Sequence, residues 1–401
     1  MEKSQEFIAR TLFGLEDLLA TELEDLGAKN IYKLKRAVSF QGDKALMYKA
    51  NLHLRTALRV LMPIHEFEAK NEHQYYRGIQ SINWSKLLNK DDSFAIDVTV
   101  YSDYFTHSKY VMHKTKDAIV DQFRKHFNER PSVDFDAPTV RIHIHISEKD
   151  CTVLLDSSGT SLHKRAYRTE THRAPINEVL AAGMIMLTGW KGERPFCDMM
   201  CGAGTLVCEA ALIGQNIAPG TYRERFGFYS WKDYDDKLWN KIRDEAKAAE
   251  RPLEHPIVGS DIAIKTVEMA RGNMILPAFE DIRVSRKDFF KNTPKYENGI
   301  LIMNPPYGER YHEEEILEFY EDIGHAMKNY YPGYEAWIIS SNKEAIKRIG
   351  LRPSKKYQLF NGRLECKFHR FDLYRGTKDK AKLAAKNKEK ATDEDIIKDK
   401  G

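Results

Sequence analysis

Residues 304–308 read Asn304-Pro305-Pro306-Tyr307-Gly308, directly after the apolar run Gly299-Ile300-Leu301-Ile302-Met303. A short apolar run bounded by turn residues reads as a buried strand of a parallel sheet. Such a sheet delivers Asn304 and the two prolines to its carboxyl edge, where open α/β sheets bind ligands. Consecutive prolines fix the backbone and remove two N–H donors. What remains is a rigid edge of acceptors, the Asn304 side-chain oxygen and the Pro305 carbonyl, with the Tyr307 ring beside them. That arrangement suits holding an exocyclic NH2 by two hydrogen bonds while Tyr307 stacks on the base that carries it. The same residue types also make a plain surface turn.

A second set of candidates opens at Asp198-Met199-Met200-Cys201-Gly202-Ala203-Gly204-Thr205, between an expected strand over 195–198 and a helix around 206–212. The glycines let the backbone turn tightly and approach a ligand. A dinucleotide site would want a third glycine three residues on and an acid about 20 residues further. Residue 207 is Val207, and the next strand-end acid is Asp261, in Gly259-Ser260-Asp261. A third acid, Asp288 in Lys287-Asp288-Phe289, follows the next short strand. One acid after a strand reads as a helix N-cap. Three of them, in register before Asn304-Pro305-Pro306-Tyr307, point instead to one ligand-binding edge.

Two basic runs lie elsewhere. One is His163-Lys164-Arg165-Ala166-Tyr167-Arg168, with Arg173 beyond it; the other spans 107–116 and carries Lys109, Lys114 and Lys116. Charge runs are commonly solvated faces. Two runs with tyrosines, both outside the Asp198–Tyr307 region, favour contact with an RNA backbone. His143-x-His145 sends both rings to one face of a strand, but zinc needs three or four ligands and only two are evident, so no metal is expected. Cys197 reads as a buried small hydrophobe.

The elements that must position these residues follow two patterns. The first half alternates α and β. Leu12, Leu15, Leu18, Leu19, Leu23 and Leu26 lie at helical spacing, and Gly27 is placed as a C-cap. Residues 93–100 and 140–146 alternate as strands, and 151–156 pairs with the latter. A helix is expected over 113–127 with Ala118, Ile119, Phe123 and Phe127 inward. From 195 onward strand and helix alternate, the pattern of a parallel sheet, with strands at 195–198, 256–261, 282–284, 300–303 and 336–339. Residues 356–360 and 364–373 read as a terminal hairpin around Asn361-Gly362, a type I′ turn. The fold class is therefore α/β for the C-terminal part, preceded by an α+β region.

Composition sets the outer bounds. The chain has 401 residues, 42% hydrophobic and 30% charged, room for two or three domains. No apolar run reaches the length of a membrane span, and the N-terminus carries no signal-peptide core. Five cysteines without a paired framework fit a reducing cytoplasm. A net charge of +4 leaves nucleic-acid binding to local patches. Residues 377–401, with eight lysines and six acids, read as a solvated tail.

Asp-x-x-Cys-Gly-x-Gly-Thr and Asn-Pro-Pro-Tyr resemble motifs of S-adenosylmethionine-dependent methyltransferases that act on exocyclic base amines. With Thr11-Leu12-Phe13-Gly14-Leu15-Glu16 and Asn361-Gly362-Arg363-Leu364-Glu365-Cys366, residues 1–375 are similar to the bacterial THUMP-domain RNA methyltransferases, near the guanine-N2 methyltransferase of 23S ribosomal RNA. The resemblance implies a ferredoxin-like segment over 1–55, a THUMP RNA-binding domain over 56–160 and a Rossmann-like methyltransferase domain over 161–376. It implies S-adenosylmethionine as cofactor. Asp198 would take the methionine ammonium, Cys201, Gly202, Ala203, Gly204 and Thr205 would pack on the ligand, and Asp261 would hold the ribose. Asp288 and Phe289 would meet the adenine, while Pro175, Asn177 and Glu178 would close over the methionine end. Asn304, Pro305, Pro306 and Tyr307 would be catalytic, with Asn304 also facing the cofactor. The implied partner is RNA, foremost 23S rRNA, with tRNA as the alternative substrate, DNA adenine as a further one, and an inactive RNA-binding protein as the reading from another class. No membrane or protein partner is implied. The chain ends before the extra domain of the fused enterobacterial form, so a single methylation activity is expected.

Overall fold

The computed structural model describes residues 4–168, 176–307 and 313–375. The first elements are β1 (Gln5–Thr11), α1 (Glu16–Asp25), β2 (Lys29–Leu34), β3 (Ala37–Gly42), α2 (Lys44–His53), β4 (Ala57–Glu68), α3 (Glu72–Gln80), β5 (Ser93–Tyr101), α4 (Ser108–Phe127), β6 (Ser132–Val133), β7 (Val140–Ser147) and β8 (Asp150–Asp156). Then come α5 (Glu178–Thr188), β9 (Phe196–Asp198), α6 (Thr205–Gly214), α7 (Asp236–Ala248), β10 (Ile257–Asp261), α8 (Ile264–Gly272), β11 (Arg283–Arg286) and β12 (Gly299–Met303). The chain closes with α9 (Glu313–Tyr330), β13 (Tyr334–Ser340), α10 (Lys343–Arg348), β14 (Lys355–Asn361) and β15 (Leu364–Asp372). The described residues form two compact units, one of 4–168, 178–183 and 216–250, the other of 176–177, 184–215, 251–307 and 313–375.

The first unit is built on one sheet in the order β2-β3-β1-β4-β8-β7-β5-β6. Strand β4 joins its two halves: Ala57 to Leu61 pair with β1, and Leu61 to Glu68 pair with β8. The register of the second pairing slips between Pro63 and His65, where a proline without an N–H cannot donate to the ladder. Phe7, Leu19, Leu23, Val38 and Phe40 fill the core under α1 and α2. A second core gathers Tyr75, Trp84, Phe94, Ala118, Ile119, Phe123, Ile142 and Ile144, and each large apolar side chain so buried contributes about 1.5–3 kcal/mol. Helix α4 starts at Ser108, a turn before the expected 113. Phe127, expected inward, is 49% exposed. It is the last helical residue before Asn128, whose left-handed backbone ends the helix, and its ring meets Phe123 at 5.5 Å and His126.

Residues 216–250 belong to this unit, so the stretch 161–376 is interrupted. The reason is an aromatic cluster: Phe226, Phe228 and Trp239 pack with Tyr48, Leu52 and Leu54. Arg223 fastens the segment, donating to the carbonyls of Ser158, Thr160, Ser161 and Lys164.

The second unit holds a mixed sheet in the order β11-β10-β9-β12-β13-β15-β14. The first five strands are parallel and the last two antiparallel. Ile300, Leu301, Ile302 and Met303 are wholly buried, as expected of a central parallel strand covered on both faces. The terminal hairpin differs in detail from expectation. Asn361 pairs with Leu364, so the turn residues are Gly362 and Arg363, and only Gly362 has a positive φ, +62°. That is the pattern of a type II′ turn, since type I′ needs positive φ at both positions. Asn361 remains a strand residue, with its side chain free to act elsewhere.

Candidate active site

Strand order decides which side chains share an edge. From β9 the chain steps outward to β10 and β11, then returns to place β12 on the other side of β9. Between β9 and β12 the order reverses, and open α/β sheets bind ligands at such a switch point, beyond the carboxyl ends of their strands. Asp198 ends β9, Asp261 ends β10, Asp288 follows β11 and Asn304 follows β12. All four are thus carried by adjacent strands, which lie about 4.8 Å apart.

Asp198 is wholly buried, and a single bond reaches its carboxylate among the described residues, Met200 N–H to Oδ1 at 3.2 Å. Burial pushes the carboxyl up to about 8, and the charge of Asp261 adds to the push. A buried acid with no cationic partner is the complement of a ligand's ammonium group. The loop after it is fixed at both ends. Cys201 N–H donates to the Ser260 carbonyl at 2.9 Å, Gly202 N–H to Asp261 Oδ2 at 3.1 Å, and Asn273 Nδ2 to the Ala203 carbonyl at 3.2 Å. Gly202 and Gly204 have φ of +52° and +85°, which side chains rarely tolerate. A Cβ on Gly204 would also stand 2.6 Å from Met274 Cε. Thr205 then begins α6.

Asp261 accepts from Gly202 and, through Oδ1, from Ala263 N–H at 3.0 Å. A carboxylate has about four acceptor positions, so two are left for hydroxyl donors. Asp288 caps a short helical turn, accepting from Phe290 N–H at 3.0 Å, with Lys291 at 3.7 Å. Phe289, expected beside the adenine, is 3% exposed and stacked on Tyr331 at 5.4 Å. An aromatic after a strand gains more by filling the layer under α9 than by facing solvent.

Asn304 Oδ1 is buried and has no hydrogen-bond partner among the described residues. Such an acceptor costs about 1–3 kcal/mol unless something donates to it. Pro305 is buried, Pro306 and Tyr307 half-buried. The Tyr307 hydroxyl accepts from Asn361 Nδ2 at 2.8 Å. Gly308, Glu309 and Arg310 lie outside the described residues, as do His172, Arg173, Ala174, Pro175 and the tail over 377–401.

The basic candidates separate. Lys109 and Lys164 are exposed. Lys114 is 3.7 Å from Glu72 and lies over the Tyr76 ring, and Lys116 pairs with Asp117 at 2.9 Å. Two expected RNA contacts are corrected. Arg165 is 2% exposed and donates to the carbonyls of Leu162 and Arg55. Arg168 binds Glu178, itself expected at the cofactor, in a largely buried ion pair of 3.2 Å. A planar guanidinium can satisfy several interior acceptors, so a basic run does not of itself mark a surface. Asn177, half-buried, immediately precedes Glu178. His143 contacts Asp156 at 3.2 Å, and no metal-ligand cluster of three or more occurs among the described residues. Sequence reasoning missed Asn273 and the contact of Asn361; the latter residue was visible only as a turn former.

Three family models match the chain: an RMKL-like methyltransferase domain over 165–370, an RlmL ferredoxin-like domain over 6–61 and a THUMP domain over 69–156. The chain belongs to the RMKL-like methyltransferase family. A Synechocystis protein assigned as an RNA methyltransferase is 38% identical across 92% of this chain and 97% of its own length. The ribosomal RNA large subunit methyltransferase K/L of Methylococcus capsulatus is 36% identical across 93% of this chain. This chain spans about half of that relative, 52% of its length. SMU.472, assigned as a methyltransferase and crystallised with SAH, superposes with a TM-score of 0.84 at 29% identity, covering 94% of this chain and 100% of its own. The chain is an S-adenosylmethionine-dependent methyltransferase of an RNA-modifying family, with ferredoxin-like and THUMP regions ahead of its catalytic domain. No described helix is long and apolar enough to cross a membrane, and all five cysteines are buried, none of them in a disulfide.

Proposed function

We propose that this protein methylates the exocyclic N2 amine of a guanine in 23S rRNA. The observation that carries the reading is the buried Asn304 Oδ1, without a hydrogen-bond partner among the described residues, at the switch point of the sheet. An acceptor in that state calls for an N–H donor, and the adjacent Pro305 carbonyl offers a second acceptor for the other amine hydrogen. Two such bonds turn the nitrogen lone pair out of the base plane. Asp198 would hold the methionine ammonium and Asp261 the ribose hydroxyls, with residues 201–205 against the ligand and Asp288 toward the adenine. S-adenosylmethionine, when bound, supplies a methyl group already activated on a sulfonium. The protein's work is then alignment of the amine, through Asn304 and Pro305, and stacking of a base flipped out of its RNA on Tyr307. No strong base is required, because the amine proton can leave after the C–N bond has formed. Lys109 and Lys164, the exposed cations of the two basic runs, are the contacts proposed for the RNA backbone. The 23S assignment draws on the large-subunit relative that this chain half spans.

Asn304→Ala tests the division of labour. Methyl transfer to RNA should fall by at least about a hundredfold, the scale of a lost positioning group, while cofactor affinity by calorimetry stays within a few-fold. Equal loss of both would overturn the assignment of Asn304 to the acceptor base.

A further inference from the structure

The Tyr307 hydroxyl is engaged by the terminal hairpin. Asn361, the last residue of β14, donates to it from Nδ2 at 2.8 Å. On β15, the Cys366 thiol donates to the Leu364 carbonyl at 3.6 Å. A phenol has one proton to donate and lone pairs to accept with. Asn361 thus fills one acceptor position of the Tyr307 oxygen, while the Cys366 thiol is turned to Leu364. The hydroxyl is thus held by the hairpin, and the ring is the part of the side chain left to stack on a ligand. Burial holds this phenol well above its ordinary range, so it is uncharged at neutral pH.

We infer that Asn361 is a positioning residue for methyl transfer: it pins the far end of the Tyr307 ring, so that Tyr307 presents a fixed face to the acceptor base and takes no part as a proton acceptor. This rests on the reading of Tyr307 as the stacking platform. The backbone after Pro305-Pro306 fixes one end of the side chain, and the bond from Asn361 fixes the other. With both ends held, the ring cannot swing about its side-chain torsions. A base stacked on it then keeps its amine at Asn304, where misplacement by about 1 Å can cost a hundredfold in rate.

Asn361→Leu keeps the side-chain size and removes the donor. We expect kcat to fall about ten- to hundredfold with unchanged affinity for S-adenosylmethionine. Tyr307→Phe should give the same fall, and the double variant Asn361→Leu/Tyr307→Phe should be no worse than either single one, because both break one bond. Asn361→Asp should recover most of the rate, since the hydroxyl can turn and donate to it. A wild-type kcat in Asn361→Leu, or losses that multiply in the double variant, would overturn the inference. Tyr307→Ala separates this from the underlying reading. Full activity there removes the stacking role itself, whereas loss there with full activity in Asn361→Leu removes only the clamp.

Discussion

Two aspartates, one in each unit, begin from the same circumstance and end in opposite states. Asp156 closes β8 and Asp198 closes β9; both follow apolar runs and both are 1% exposed. Asp156 is surrounded by donors: Arg59, His143 at 3.2 Å, and the N–H groups of Ser158 at 2.8 Å and Gly159 at 3.2 Å. Burial alone would push it up, but His143 and Arg59 hold it below the ordinary carboxylate value. Asp198 accepts from one backbone N–H among the described residues and is pushed up to about 8. Asp156, paired on every side, belongs to the architecture of its unit; Asp198, with one bond among the described residues, is the acid proposed to meet the ligand's ammonium. The comparison separates the two units by task more clearly than their secondary structure does.

The comparison can be broken in stages. Asp156→Ala should show the largest effect, a loss of about 3–5 kcal/mol in unfolding free energy, because Arg59 and His143 lose their common partner. Chemical denaturation measures it, and the surviving folded protein should bind cofactor normally. Asp198→Asn should do the reverse. It should weaken S-adenosylmethionine by about 10–100-fold, the worth of a charge-assisted hydrogen bond, without lowering the stability of the ligand-free protein. Exchange of these two outcomes would remove the distinction.

The smallest effect is the most diagnostic in sign. Asp198 is raised in the folded state, so its contribution to ligand-free stability is full below its unfolded value near 4 and is lost as pH rises toward about 8. Asp156 is depressed, so its contribution is present above that unfolded value and is lost only as pH falls through the folded value, below 4. Ligand-free stability should therefore decline from pH 4 to 8 in wild type relative to Asp198→Asn. Binding of a cationic ligand requires the ionised carboxylate, so wild-type cofactor affinity should rise with pH up to about 8 and Asp198→Asn should be flat. Parallel pH profiles for the two proteins would show that Asp198 does not meet the ammonium.

Much of the catalytic unit was legible because its strands are short apolar runs ending in chemically distinctive residues. Ile300 to Met303 could hardly be anything but a buried strand, and Asn304 had to emerge at its end. The sheet order then placed Asn304 beside Asp198, which no local pattern could show. What stayed hidden depended on tertiary partners. Arg165 and Arg168 look like surface charge in one dimension and are satisfied by carbonyls and by Glu178 in three. Phe289 stands next to a candidate acid yet faces the core. Asn361 carried a strong turn signal that outweighed any hint of its bond to Tyr307, 54 residues away in the chain. Residues 216–250 gave no sign of leaving the catalytic stretch, because an aromatic cluster declares its partners only after folding.

The most direct test is nucleoside mass spectrometry of 23S rRNA, 16S rRNA and tRNA from a strain lacking the gene, before and after incubation with the purified protein and isotopically labelled S-adenosylmethionine. The account predicts labelled N2-methylguanosine restored in 23S rRNA alone, and none with Asn304→Ala. Label confined to tRNA, label in N6-methyladenosine, or no transfer by a protein that binds its cofactor would contradict it.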